Sequence, residues 1–214
     1  MRVLITSGAT SLAQALGTNL SSQYDVTLTD VVDVSTDLDF LKCELGHDGE
    51  SESLVDGMDA IVHLAQLPEG LETDEREIDF QTRCTYNLLH AAREKKVGHV
   101  VYVSSLSLFD ACDPNWNVNE QWAPRPSTDA APMARYLGEF TCREFAREHS
   151  LRVTCLRFGD VGGEGDAALT MDDAVRAIAS ALTKDGPMWR VLHVQSEMEN
   201  ARFPIDQAKR ALGI

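Results

Sequence analysis

The sequence predicts an α/β fold, a doubly wound parallel sheet covered by helices on both faces. Three observations carry that prediction. Short β-rich runs alternate with longer helical stretches along the chain, the pattern of repeated βαβ units. The clearest of those runs are almost continuously apolar, as strands buried on both faces must be. The composition is that of a globular chain: 214 residues, 43% hydrophobic and 25% charged, which excludes a disordered or collagenous polymer. A chain of this length buries roughly 70% of its unfolded surface, so its core needs no metal or disulfide staple.

The elements follow in order. Residues 2–6 (RVLIT) read as a buried strand and 12–20 as the helix after it. A second strand spans 25–29 (DVTLT) and a third 60–64 (AIVHL), followed by a long helical stretch through 86–96. Residues 99–103 (HVVYV) form the next strand, 133–149 a helix and 152–156 (RVTCL) a further strand. From Gly165 onward there is room for a helix, a strand and a short terminal helix, but not for a separate substrate domain. Residues 1–214 therefore read as one domain with a shortened C-terminal part, 165–214. Residues 106–131 break the rhythm with Pro114, Pro124, Pro126, Trp116 and Trp122. So long an irregular segment is uncommon in a compact domain and often functional, which leaves an active-site lid and a packed surface excursion as the two readings. The two tryptophans are expected to pack and anchor it rather than stack on a ligand.

Charge narrows the partners. Against 34 acidic residues stand 19 basic ones, a net charge of −15, which repels phosphate backbones and anionic lipid. Nucleic acid and membrane are thereby excluded, and no apolar run approaches the roughly 20 residues of a membrane span. The N-terminal MRVLITSG is too short an apolar run for a signal peptide. Cys43, Cys84, Cys112, Cys142 and Cys155 are scattered, odd in number and without a C-x-x-C pair, so they read as reduced thiols of a cytoplasmic protein. His47, His63, His90, His99, His149 and His193 have no metal-ligand spacing, so no metal is expected and His63 reads as a core residue. Asp172-Asp173 reads as a helix cap, and the acidic run 72–77 as a solvated helix start.

The segment after the first strand carries the chemistry. Thr6-Ser7-Gly8-Ala9-Thr10-Ser11-Leu12-Ala13 turns directly into a helix. Such a turn lets a dinucleotide pyrophosphate approach the amides at the helix N-terminus, where the macrodipole favours negative charge. Asp30 ends the second strand about 20 residues after Gly8, where an acidic side chain accepts bonds from the adenosine ribose hydroxyls. No Arg or Lys follows it to meet a 2′-phosphate, so NAD is expected rather than NADP.

With these elements in order, the chain resembles the extended short-chain dehydrogenase/reductase family, the NAD-dependent epimerase/dehydratase group, and so a Rossmann-type fold. The family's opening T-G-G-x-G-x-x-G is similar to Thr6 through Ala13, and its Gly-Asp-hydrophobic element falls on Cys43-Glu44-Leu45. Its D-x-V-x-H-L-A appears as Asp59 through Ala65, and its N-x-x-G-T-x-N-L-L helix as Gln81, Cys84, Thr85, Asn87, Leu88 and Leu89. The strand ending in two serines is Val101 through Ser105, and Arg157 through Gly165 resembles R-F-G-N-V-Y-G-P-G. The resemblance places cofactor contacts at Ser7, Gly8, Thr10, Ser11, Leu12, Asp30, Glu44, Leu45, Leu64, Ala65 and Tyr136. It places catalysis at Ser105 and Tyr136. The family often pairs through a four-helix interface, which here would use the helices near 74–96 and 133–149 and give a homodimer.

The departures are equally informative. Ser7, Thr10 and Ala13 replace the three glycines of the G-x-x-G-x-x-G spacing, so side chains crowd the turn and any residue there with positive φ is strained. The family's chemistry uses a Tyr that exchanges a proton with the substrate hydroxyl, aided by a Lys four residues on. Here that position is Phe140. Lys42, Lys95, Lys96, Lys184 and Lys209 follow Leu38, Ala91, Ala92, Ser180 and Ile205 at that spacing, so no Y-x-x-x-K exists. An unassisted phenol is roughly a thousandfold short of phenolate at pH 7. Arg143, seven residues past Tyr136, could supply a replacement charge but is expected to be solvated or paired with a nearby carboxylate, and Ser105 lacks the G-x-S-x-G elbow of a hydrolase. Two functions follow. One is an NAD-dependent oxidoreductase with impaired chemistry and weak cofactor binding, acting on a small-molecule substrate; the other is a catalytically silent nucleotide-sensing or scaffold protein.

Overall fold

In the computed structural model, which describes residues 1–46, 49–198 and 201–214, the chain alternates strand and helix almost throughout. Arg2–Ile5 is β1, Ser11–Leu20 α1, Asp25–Asp30 β2, Asp39–Lys42 β3, Glu50–Val55 α2 and Ala60–His63 β4. Asp74–Asp79 (α3) passes through one π-helical turn, Phe80–Cys84, into Thr85–Glu94 (α4). His99–Ser105 is β5, Ala130–Arg147 α5, Val153–Phe158 β6, Asp160–Val161 β7 and Ala168–Leu169 β8. Met171–Thr183 (α6), Trp189–Val194 (β9) and Asp206–Leu212 (α7) complete the chain, the helix, strand and short helix expected after Gly165.

Seven strands form one parallel sheet in the order β3-β2-β1-β4-β5-β6-β9, and β7 and β8 make a separate short ribbon. The order reverses beside β1, which pairs with β2 on one side and β4 on the other. Ligands of open α/β sheets bind in the crevice outside the carboxyl ends of the strands at such a reversal. Alternation along each strand feeds two cores. Val3, Ile5, Val62, Val101 and Leu156 pack on one face with α1, α6 and α7. Leu4, Ile61, Val100, Tyr102 and Cys155 pack on the other with α2, α4 and α5.

The long segment after β5 is held down rather than loose. Leu106, Leu108, Phe109, Cys112, Val118 and Phe203 form a third apolar cluster beneath it. Arg202 Nη2 donates to the Phe109 and Cys112 carbonyls at 2.9 Å each. Trp116 and Trp122 stack on each other at 5.5 Å but stay 46% and 36% exposed, so the anchoring expected of them falls to this cluster instead. A second correction concerns α6. Its cap is Thr170, which accepts from Asp173 N, while Asp173 accepts a bond from Ser196 Oγ.

All five cysteines are buried and free, as expected of reduced thiols, and no helix among the described residues is long and apolar enough to cross a membrane. His47 lies outside the described residues. His63, His99 and His193 are buried, and burial pushes their rings down to about 3, 4 and 3. Below pH 6.5 the unfolded chain protonates these rings while the native chain does not, so the stability present above that pH is lost as the solution acidifies. The unfolding free energy from urea titration should fall between pH 7 and pH 5, by on the order of 1–2 kcal/mol per ring. His193→Leu should flatten the slope, since it removes one of the buried rings.

Candidate functional site

A cleft of about 730 Å³ opens at the carboxyl edge of the sheet, lined by the β1–α1 turn, the ends of β4, β5 and β6, and the start of α5. Of the residues the sequence singled out, Thr10, Ser11, Leu12, Leu64 and Ser105 line it. Ser7, Gly8, Asp30 and Ala65 stand behind that wall and shape it. Glu44, Leu45 and Tyr136 do not form part of the lining.

The turn keeps its shape without its glycines. Ser7 has φ 59°, a left-handed conformation that costs a non-glycine residue roughly 1–2 kcal/mol. Its hydroxyl accepts from Gln66 N at 2.9 Å, tying β1 to β4 across the strained point. Gly8 is the retained glycine, and it is needed for space: an added Cβ would meet Leu28 Cβ and Thr29 O at 3.3 Å. Thr10, in place of the next glycine, caps α1 by accepting from Ala13 N at 3.2 Å. Asp30 is buried and accepts from Ala9 N at 2.9 Å and Val31 N at 2.6 Å, one bond per carboxylate oxygen. Among the described residues the Ser11 and Leu12 amides have no acceptor in the protein, and both residues face the cleft. Two free amides at a helix N-terminus beside a fixed carboxylate fit a dinucleotide's pyrophosphate and ribose. Leu45 and Ala65 repeat the strain at φ 54° and 53°, each just past the end of β3 or β4.

Behind β4 and β5 lies a polar network. His63 bridges Thr6 Oγ1 at 2.9 Å and Thr85 Oγ1 at 3.0 Å. Gln81, in the π-helical turn, donates to the Ala65 carbonyl and accepts from Tyr102 OH at 2.8 Å. Gly138 on α5 leaves room for that pair, since a Cβ there would strike Tyr102 OH and Gln81 Oε1. A second network joins α5 to β5 and β6: Arg157 Nη2 meets Glu139 Oε1 at 2.5 Å, Arg157 Nε meets Glu139 Oε2 at 3.0 Å, and Ser104 Oγ donates to Glu139 Oε2 at 3.0 Å. Both charged side chains of this pair are almost wholly buried.

This pair sets which residues of α5 look into the cleft. Arg135, one turn before Glu139, lines it, and its Nη1 donates to Leu64 O at 3.2 Å and Val103 O at 3.1 Å. Tyr136, the next residue, packs against the apolar cluster of Leu106 and Phe109. Ser105 Oγ donates to Ser107 Oγ at 2.8 Å and accepts from Ser107 N at 3.1 Å. Phe140 is 43% exposed, with the Arg143 guanidinium 4.8 Å from its ring centroid. Arg143 is paired with Glu144 at 3.3 Å, the carboxylate pairing expected of it rather than a replacement charge for Tyr136. The sequence reading missed Arg135, whose only local signal is its place beside Tyr136.

The family model described as NAD dependent epimerase/dehydratase family matches residues 4–197. Among solved structures, the chain is similar to a uronate dehydrogenase from Agrobacterium tumefaciens, with 19% identity and a TM-score of 0.88 over 99% of this chain and 82% of that one. It is also similar to a UDP-glucuronic acid 4-epimerase from Bacillus cereus in complex with NAD, with 16% identity and a TM-score of 0.83 over 100% and 92% of the two chains. A mutated uronate dehydrogenase is 22% identical, with a TM-score of 0.85 over 97% and 78%. At these identities the likeness is one of fold. No curated protein matches the chain in sequence.

Glu139→Gln should destabilise the protein by about 3–5 kcal/mol, because it leaves the Arg157 guanidinium buried without its counter-charge. The urea midpoint reads this loss directly. A change below about 1 kcal/mol would mean that water reaches the pair.

Proposed function

Because the chain belongs to the NAD-dependent epimerase/dehydratase family, we propose that it is an NAD-binding oxidoreductase that acts slowly on a small hydroxyl-bearing substrate. The observation that carries this reading is the turn at the cleft, where the free Ser11 and Leu12 amides stand beside the fixed Asp30 carboxylate. When bound, the nicotinamide would supply the hydride acceptor and donor. The chain's own residues do the rest. Ser11 and Leu12 take the pyrophosphate, Asp30 the adenosine ribose, and Leu64 and Ala65 border the dinucleotide at the end of β4. Glu44 and Leu45 reach it at the adenine end. Ser105, which lines the cleft, and Tyr136 would handle the substrate proton, the phenol only by turning from the apolar cluster it packs on and with no lysine to assist it.

Phe140 supports a second reading, a silent nucleotide-binding relative, because an apolar ring stands where the proton relay needs charge. In either case the five buried thiols suit the cytoplasm, and a homodimer would use α4 and α5, where Tyr86 and Phe140 are 48% and 43% exposed. Light scattering reads the mass of the assembly.

Calorimetric titration and thermal shift with NAD, NADH, NADP and NADPH test the binding. NAD at 100 times its dissociation constant should add about 2.7 kcal/mol. Ser7→Gly should tighten NAD by relieving the turn, and a weaker complex would mean that the Gln66 bond matters more than the strain. For turnover, Tyr136→Phe should abolish any dehydrogenase activity and Phe140→Lys should raise it at pH 7. Activity indifferent to Tyr136→Phe would exclude the phenol, and NAD binding without turnover in either protein would favour the silent reading.

A further inference from the structure

Among the described residues, Arg135 is the one basic residue that lines the cleft, against Glu69, Glu72 and Asp160. Among the described residues no carboxylate pairs with it, although the chain carries 34 acidic residues. What holds the guanidinium is backbone: Nη1 donates to the carbonyls of Leu64 and Val103, at the ends of β4 and β5. A guanidinium has five N–H groups in a planar fork. Both of these bonds come from Nη1, so the Nε and Nη2 hydrogens remain for a ligand in the cleft. The charge is felt around it: Arg135 adds to the downward push on His63 and offsets part of the upward push of burial on Glu77.

We propose that Arg135 is a specificity residue, and that the substrate of this cleft is a small hydroxy acid whose single carboxylate it takes. The inference rests on the oxidoreductase reading for the substrate's role, but the anion site stands on the geometry above. A planar carboxylate matches the free edge of the guanidinium fork, and a guanidinium anchored in advance loses little freedom on binding. The charge balance chooses between anions. With a pyrophosphate held at the Ser11 and Leu12 amides, three carboxylates around the same cleft, in a chain of net charge −15, oppose a second doubly charged anion more strongly than a monocarboxylate. A neutral polyol has nothing to offer the guanidinium that water does not.

The test uses the full chain and three probes, D-glucuronate, D-glucose and inorganic phosphate, each titrated by calorimetry and thermal shift with and without NAD. Glucuronate should bind at least tenfold more tightly than glucose or phosphate. Arg135→Gln should weaken glucuronate at least tenfold, and Arg135→Lys, which keeps the charge but not the fork, should fall between. Should Arg135→Gln fail to fold, the lysine variant and the wild-type probe series decide alone. Glucose or phosphate binding as tightly as glucuronate, or glucuronate binding unchanged in the variants, would overturn the proposal. NAD bound without glucuronate overturns this inference alone. Glucuronate bound without NAD overturns the oxidoreductase reading and leaves the anion site, and neither bound overturns both.

Discussion

The Arg157–Glu139 pair is the contact on which the geometry of the cleft depends. Taking both charges out of water costs several kcal/mol per ion, and only a close, hydrogen-bonded geometry offsets it. Here two bonds join guanidinium to carboxylate, Ser104 supplies a third, and the Phe109 ring lies 5.1 Å from the guanidinium carbon. One residue from each of β5, β6 and α5 is thereby fixed to the others. A buried pair is weak evidence for net stability but a strong constraint on position, since neither partner can leave without stranding the other. Helix α5 can neither slide nor roll on the sheet, and what stands one turn earlier, Arg135, is placed at the ends of β4 and β5.

That constraint explains what sequence could and could not show. The central strands were legible because a parallel strand covered on both faces is a continuous apolar run, as RVLIT, AIVHL and HVVYV are. The apolar run alone stops at Val103, and strand β5 continues through the polar Ser104 and Ser105, the serine pair that the family resemblance places at its end. Strand β3 went unpredicted because it is an edge strand, DFLK, exposed or only half-buried along its length. Helix α2 is short, with three of its six residues buried, and carries almost no periodic signal.

The site divides the same way. The positions of Ser7, Gly8, Thr10, Ser11 and Asp30 at the β1–α1 turn and the end of β2 were legible because they follow from spacing along one strand–turn–helix unit. Arg135 was not, because which face of α5 meets the cleft is decided by Glu139 and Arg157, 18 residues apart in sequence. Counting four and seven residues on from Tyr136 pointed to Phe140 and Arg143. Those two stack on each other at the surface.

A dinucleotide cradle and a proton relay obey different physics. A dinucleotide cradle is made mostly of backbone: amides at a helix end, a carboxylate fixed by other amides, and turns held left-handed at Ser7, Leu45 and Ala65. Small side chains can replace glycines there if each brings a compensating bond, as Ser7 does to Gln66 N and Thr10 to Ala13 N. Proton transfer from a phenol has no such substitute. It depends on one charge at one place, and an aromatic ring at position 140 cannot supply it. A chain can therefore keep the full outline of its fold and the donors of its cofactor site while its reactivity turns on a single side chain. In the same cleft a positive charge, Arg135, is held by the Leu64 and Val103 carbonyls, near the ends of β4 and β5.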